Sequence, residues 1–498
     1  MHLLGIDLGT SGTKAILVDE RGRIAGTATC EHPVSTPRAG WSEQDPESWW
    51  TSAATAVRDA CGRGGVRGAD IAAIGMSGQM HGLVMIDARG EVLRPCILWN
   101  DQRSAPQCER VEREIGIDRL VAAIGNRMLP GFTAPKILWC REHEPELERR
   151  AATHLLPKDW LRFRMSGARA TEVSDASGTA LFDCGRRTWS SELLSALKID
   201  RATMPECAES PVVTSKLSSA AASALGLVEG TPIVGGAGDQ AASAIGAGIV
   251  RAGAVSVTIG TSGVVFAACD AWRPAPRGEL HAFCHAVPGR WHVMGVMLSC
   301  GGSLRWYRDE IARAAGSDAY ERLADEAATV APGANGLTFL PYLTGERCPY
   351  PDPNARGAFL GLSAAHGRAH LTRAVFEGIT FGLRDNLELA RSLGVQVNDV
   401  RLAGGGARSA FWRQLCADAF GVPVRAARGD EGGALGAALL AGIGAGAWPT
   451  VDAAVDATRG DLGEVAHPRS SDAYRAPYAR FRGAYADLRG VFDRAQQA

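Results

Sequence analysis

The sequence predicts an α/β protein made of two similar halves that face each other across a cleft. Three observations predict this. The tetrapeptide Gly-Thr-Ser-Gly occurs twice, at 9–12 and at 260–263, each time in the bend between two runs of strand-forming residues. The strand-then-helix order of the first half returns in the second. A chain of 498 residues is also too long for one ordinary core, so two domains are expected.

In the first half, strands are expected at 3–8, 13–19 and 23–30, with the bend Asp19-Glu20-Arg21-Gly22 joining the second to the third. A helix follows from Asp45 as N-cap, with Pro46 in the first helical position and Glu47 in the first turn, and runs to about residue 61. Further strands are expected at 71–76 and 83–87. The order strand-strand-strand-helix-strand is that of a ribonuclease-H-like half, in which an antiparallel hairpin meets a mixed, helix-covered sheet. Residues 104–222 read as a helix-rich insertion.

In the second half, a hairpin covers 255–268 and a third strand 290–295, with helices at 303–315 and 370–392. A strand at 399–403 runs into Gly404-Gly405-Gly406, and a helix starts from Ser409. A strand at 423–427 then leads to a Gly/Ala-rich helix from Gly432. The division expected is 1–245 and 246–498. No low-complexity linker separates the halves, so they should pack together around the cleft.

Composition narrows the function. Apolar content of 46% and charged content of 21% are those of a soluble globular protein. A net charge of −1 gives no basic surface for nucleic acid or anionic membrane. The N-terminus enters a strand within three residues, with no basic-then-apolar leader, which argues against a signal peptide. The longest uncharged run, 432–450, is Gly- and Ala-rich and broken by Trp448-Pro449, as suits a close-packed buried helix rather than a membrane span. Twelve cysteines show neither Cys-x-x-Cys spacing nor metal-ligand spacing with histidine. A cytoplasmic protein with reduced core cysteines is expected.

Several residues can do chemistry. A Gly/Ser/Thr bend between strands leaves amides and hydroxyls free to face an anion, and two such bends could hold one polyphosphate. Asp7 interrupts an otherwise apolar strand just before the first bend. A buried carboxylate needs a partner, and hydrated Mg²⁺ beside a nucleotide phosphate is the natural one; the alternative is an Asp that caps the bend. Asp239 ends the run Gly235-Gly236-Ala237-Gly238, where close backbone approach to a ligand is possible. A lone carboxylate there suits a general base for a hydroxyl, or else simply bonds local amides. Gly404-Gly405-Gly406-Ala407 lies between strand and helix but fails the dinucleotide spacing, because Ser409 stands at the last Gly position. Neither a Walker loop nor a Gly-x-Ser-x-Gly elbow is present. Met80-His81-Gly82 and Trp99-Asn100-Asp101-Gln102-Arg103 combine apolar surface with hydrogen-bonding groups, as a polyol pocket requires. On spacing alone His81 reads as a satisfied loop histidine, Trp99 as core, and Asp101 with Arg103 as a surface pair of little worth.

Together these residues resemble the FGGY family of carbohydrate kinases, and within it the bacterial xylulokinases, over nearly the whole chain. Gly5-Ile-Asp-Leu-Gly-Thr-Ser-Gly-Thr-Lys14 is similar to the first phosphate motif of the actin-like ATPase superfamily, and 258–263 to the second. Gly131-Phe-Thr-Ala-Pro-Lys-Ile-Leu-Trp139 is similar to the family's first signature. Gly357-Ala-Phe-Leu-Gly-Leu362, with His370-Leu371 and Ala374-Val-Phe-Glu377, is similar to its second. The runs 404–407 and 431–437 resemble adenosine-binding segments. Cys140 departs from the aliphatic residue usual after Trp139, a core change that touches nothing catalytic.

The resemblance implies two actin-like domains with ATP and sugar in the cleft. It implies a catalytic Asp at Asp239, a sugar contact through Met80 and His81, and Trp99, Asn100 and Asp101 near the sugar. ATP would be held by Thr10, Ser11, Thr13 and Lys14, by Gly260, Thr261 and Ser262, and by Gly404, Gly405, Gly406 and Ala407. Mg²⁺ would sit at Asp7 through water, with Asp239 also in reach. The expected reaction is ATP-dependent phosphorylation of D-xylulose to D-xylulose 5-phosphate, in an enzyme of a family in which dimers are common. Rival readings are a sister kinase for ribulose, gluconate or glycerol, an actin-like ATPase acting as chaperone or filament protein, and a nicotinamide dehydrogenase, which lacks its fingerprint.

Overall fold

The computed structural model describes residues 1–427, 431–458 and 463–495. The first half opens with β1 (His2–Leu8), β2 (Gly12–Asp19) and β3 (Ile24–Glu31), followed by α1 (Pro46–Gly64) and β4 (Ile71–Gly78). Leu3, Leu4, Ile6 and Leu8 are fully buried, so β1 is a central strand covered on both faces. Asp45 caps α1 by accepting the Glu47 amide at 3.1 Å, and Pro46 takes the position where an amide proton would have no partner. The helices that matter to the cleft in the insertion are α2 (Thr133–His143) and α3 (Pro157–Ser166). The chain then re-enters the sheet through β5 (Val213–Lys216) and β6 (Pro232–Val234), and α4 (Asp239–Gly246) leads out of it. The first sheet has the order β5-β6-β4-β1-β2-β3, with a seventh short strand at Ala237–Gly238 also paired to β4.

The second half contains β7 (Gly253–Ile259), β8 (Gly263–Cys269), β9 (His281–Cys284) and β10 (Trp291–Met297). After these come α5 (Gly301–Trp306), α6 (Ala319–Ala328), α7 (Arg368–Ser392), β11 (Val397–Ala403), α8 (Ala410–Phe420), β12 (Val424–Ala426), α9 (Gly432–Gly444), β13 (Val465–Ala466) and α10 (Arg475–Ala495). Its sheet runs β9-β10-β8-β7-β11-β12-β13. In each half a hairpin strand pairs antiparallel with its partner and parallel with a later strand: β1 with β2 and β4, β7 with β8 and β11. The repeat in sequence is therefore a repeat in topology.

Two details differ from expectation. The helix expected at 303–315 begins at Gly301, is regular only to Trp306, and continues as a π-turn over Tyr307–Ile311. The strand expected at 83–87 forms at Val84–Ile86 but leaves the main sheet and pairs with Thr153–Leu155. The reason lies just upstream: His81 adopts φ +72, a left-handed turn that redirects the chain.

The halves are not separate beads. The Gly/Ala helix α9 lies across β1 and β4 of the first sheet and against α4. Glycine makes this possible, because a β-carbon at Gly5 or Gly75 would lie about 2 Å from the Ala434 or Ala437 carbonyl oxygen. A hydrophobic cluster also joins Phe132 and Phe182 of the insertion to Phe266, Phe283 and Met294 of the second sheet. All twelve cysteines are free thiols and nine are buried, as core residues should be. Among the described residues no helix is long and apolar enough to cross a membrane.

Candidate active site

Two carboxylates come together where β1 ends and α4 begins. Asp7 stands opposite Lys14 of β2 and Ser77 of β4. Its Oδ1 is buried with no hydrogen-bond partner among the described residues, and burial holds its pKa above the ordinary carboxylate range. Gly433, at the start of α9, abuts it: a β-carbon there would sit 2.9 Å from the Asp7 carboxylate. Asp239 is half-buried at the first turn of α4, where Oδ1 accepts the Gln240 amide at 2.8 Å. Burial, and then the negative charge of Asp7, push the Asp239 carboxyl up to about 7. Two neighbouring carboxylates, one with an orphaned oxygen, suit a cation that keeps most of its water and shares phosphate oxygens, as Mg²⁺ does. Among the described residues no group of three or more His, Cys, Asp or Glu is placed to hold a metal by itself.

The Asp239 backbone is fixed from below. Gly238 donates its amide to Ser174 Oγ at 3.1 Å, and Ser174 in turn donates to the buried Glu172 at 2.9 Å. Glu172 also accepts the Ser174 and Asp175 amides and the Ser210 hydroxyl. Around it lie the fully buried Lys158, Asp159, Arg162 and Asp175, with Lys158 2.7 Å from Asp159 and 3.3 Å from Asp175. Arg162 donates to the Gly235 carbonyl at the head of the glycine run. Charges scattered over 158–175 in sequence thus converge beneath one loop, a convergence with no local sequence signal.

Met80 and His81 form the neighbouring wall. Met80 is buried against Gly238, the residue before Asp239. His81 Nδ1 lies 2.7 Å from the Gly178 carbonyl oxygen, so Nδ1 carries the proton and Nε2 is left as an acceptor. Burial pushes the His81 pKa down to about 3, with nearby Lys136 and Arg347 adding to the effect, and the ring is neutral at physiological pH. Phe132 packs against the ring at 4.9 Å. Gly178 has to be a glycine, because a β-carbon there would lie 2.4 Å from Nδ1.

The first Gly-Thr-Ser-Gly turn connects these groups to the 99–103 segment. Thr10 Oγ1 accepts a hydrogen bond from Trp99 Nε1 at 3.0 Å and donates to Gln79 Oε1 at 3.2 Å. Trp99 is 41% exposed and forms an open wall rather than core. Ser11 and Asn100 are exposed. Lys14 is ion-paired with Glu431. Two side chains expected at ligands face elsewhere. Thr13 is fully buried, and its hydroxyl is 2.8 Å from Ser52 of α1, because alternate residues of a strand point to opposite faces. Asp101 is also fully buried: it accepts the Ser42 amide at 2.6 Å and pairs with Arg103 at 2.7 Å. Arg103 in turn stacks on Trp41 at 3.6 Å. Asp101 and Arg103 are a buried pair rather than a surface bridge.

The second turn borders a cavity of about 770 Å³ in the second half. Gly260 and Thr261 line it, as do Gly405 and Gly406, whereas Ala407 is buried behind them and Gly404, at φ +79, turns the chain out of β11. Thr261 and Ser262 are exposed. The Gly260 and Thr261 carbonyls accept the amides of Cys300, Gly301 and Gly302 at 2.8–3.0 Å, which ties the turn to α5. Phe376 and Trp412 form an apolar wall, with ring centroids 4.8 Å apart. The volume and the mixed lining suit a nucleoside. Phe376 belongs to the Ala374-Val-Phe-Glu377 run, whereas Leu304, Tyr320 and Trp412 carry no sequence signal for this cavity.

Comparison with known proteins identifies the architecture. The N-terminal domain profile of the FGGY family of carbohydrate kinases matches residues 2–246, and the C-terminal domain profile of the same family matches 255–445. A xylulose kinase of Escherichia coli is 43% identical over 89% of this chain and 90% of its own length. A xylulose kinase of Bacillus subtilis is 41% identical over 91% of this chain and 90% of its own. A solved structure described as a xyloylose kinase from Brucella ovis superposes with a TM-score of 0.91 at 40% identity, covering 99% of this chain and 100% of its own.

Proposed function

The chain belongs to the FGGY family of carbohydrate kinases, and from that premise we propose that it phosphorylates D-xylulose with ATP, giving D-xylulose 5-phosphate and ADP in the cytoplasm. The observation that carries the reading is Asp239, a half-buried carboxylate raised to about 7 by burial and by the nearby Asp7, and preceded by Gly238, which packs on Met80. The names of the 43% and 41% identical relatives support the choice of sugar.

Asp239 accepts the proton of the 5-hydroxyl while that oxygen attacks the γ-phosphorus, and the bond from phosphorus to the oxygen bridging to the β-phosphate breaks to release ADP. A pKa near the working pH lets one carboxyl both accept this proton and return it to solvent. The transition state of phosphoryl transfer is loose, so alignment and charge neutralisation outweigh base strength. Asp7, with Asp239 beside it, would hold Mg²⁺ through water, and the ion when bound neutralises the phosphate oxygens. His81 Nε2 accepts a hydrogen bond from a sugar hydroxyl, and Met80 packs beside it. Thr261, Gly405 and Gly406 hold the nucleotide in the 770 Å³ cavity.

An ADP-release assay over D-xylulose, D-ribulose, gluconate, glycerol and xylitol tests the reading, with the product's phosphorus coupling located by NMR. The expected outcome is the highest kcat/KM for D-xylulose and phosphate at C5. Preference for gluconate or glycerol, or ATP hydrolysis that no sugar accelerates, would overturn it.

A further inference from the structure

The segment that opens α2 touches the sugar-side wall at four points, though none of its residues is placed to do chemistry. Lys136 is fully buried, and its Nζ donates to the His81 carbonyl at 2.8 Å and to the Gly131 carbonyl at 2.6 Å. Thr133 Oγ1 donates to the same His81 carbonyl at 3.0 Å. Phe132 packs against the His81 ring. Gly131 fits under Trp99, where a β-carbon would lie 2.8 Å from the Trp99 carbonyl oxygen. Among the described residues no carboxylate is within ion-pair distance of Lys136, burial pulls its pKa down to about 7, and its hydrogen bonds go to carbonyl groups alone.

That placement needs a reason. His81 sits in the left-handed region at φ +72, which a non-glycine residue occupies only when its surroundings enforce it. Two donors on its carbonyl, Lys136 Nζ and Thr133 Oγ1, fix the peptide plane that follows it. The Gly178 carbonyl fixes Nδ1 from the other side. With both ends held, the direction of Nε2 is set before any ligand arrives.

We propose that Lys136 and Thr133 are positioning residues for sugar recognition: by clamping the His81 carbonyl they hold the strained turn that aims Nε2 at the substrate. The proposal rests on His81 as the sugar contact. It gives this stretch of the chain a role in reading substrate without touching it.

The test is steady-state kinetics of the full-length protein with D-xylulose and ATP varied separately. The variants are Lys136→Met, Thr133→Val, Thr133→Ser and His81→Ala, with the first two also made in the His81→Ala background. Losing two buried hydrogen bonds should raise the sugar KM roughly tenfold for Lys136→Met, and losing one should raise it less for Thr133→Val. The KM for ATP should stay unchanged, and Thr133→Ser should restore the wild-type value. In the His81→Ala background neither substitution should raise the sugar KM further. Thr133→Val is nearly isosteric, so it carries the test even if Lys136→Met fails to fold. An unchanged sugar KM in Thr133→Val, while His81→Ala raises it, would overturn the clamp. So would increments that persist without the histidine, since they would mark general packing. If His81→Ala itself leaves xylulose kinetics untouched, the sugar assignment of His81 falls, and the clamp with it.

Discussion

In the first Gly-Thr-Ser-Gly turn the threonine hydroxyl is already engaged by Trp99 and Gln79, whereas in the second Thr261 stands exposed at the edge of a large cavity. Two residues before the first turn stands Asp7, with an orphaned buried oxygen; two residues before the second stands Thr258. The first turn is flanked by Lys14 and its partner Glu431. The second instead lends its carbonyls to the amides that begin α5. Identical tetrapeptides build the same hairpin bend because glycine and small hydroxyl residues suit that bend. Their tasks are set by what the rest of the chain brings beside them. In the proposed function, the first turn is the jaw that carries Asp7 beside the sugar, and the second is the jaw beside the nucleotide.

Removing charge from the first jaw should have the largest effect. Asp239→Asn keeps the shape and the N-terminal position on α4 but cannot accept a proton, so turnover should fall about 10²- to 10⁴-fold. Circular dichroism and the melting temperature should change little. Near-normal turnover in this variant would remove Asp239 as the base.

A smaller effect separates the jaws by ligand. Thr10→Val breaks the link to Trp99 and should raise the KM for D-xylulose several-fold, more than it raises the KM for ATP at the same phosphate turn. Thr261→Val should do the reverse, since Thr261 lines the cavity proposed for the nucleotide. Each loss is that of a neutral hydrogen bond, worth about 0.5–1.5 kcal/mol, or roughly two- to tenfold. Two variants that act mainly on the same Michaelis constant would show that the jaws share one task after all.

Much of this arrangement could be read from the chain itself. Strand alternation, the Asp45-Pro46 helix start and the paired turns located both sheets, because these signals are local and periodic. Asp7 and Asp239 stood out as acids in apolar or glycine-rich settings. The partners of Thr13 and Asp101 were hidden because sequence gives a residue's neighbours along the chain and not the face it presents; one hydroxyl turns to Ser52 and one carboxylate to Arg103 and Ser42. The support beneath Asp239, from Ser174 to Lys158, was invisible for a further reason. Buried ionic clusters are assembled from distant segments and leave no periodic trace.

The smallest effect concerns pH, and it isolates Asp7 as the feature one jaw has and the other lacks. The Asp239 carboxyl is raised from its ordinary value to about 7, first by burial and then by the charge of Asp7. A protonated carboxyl cannot accept the hydroxyl proton, so kcat/KM for the sugar should fall as pH drops below about 7 and level off above it. The stability contribution has the opposite slope. Between the ordinary carboxylate range and about 7, the folded chain binds more protons at this site than the unfolded chain does. This group therefore favours folding at the acid end of that window, and the contribution is lost as pH rises through it. Asp7→Asn removes the neighbouring negative charge, so the midpoint of the residual activity should move to lower pH. Thr258→Val, the equivalent change ahead of the second turn, should leave the midpoint where it is. A midpoint that stays fixed in Asp7→Asn would assign the raised pKa to burial alone and end the electrostatic coupling of Asp7 to Asp239.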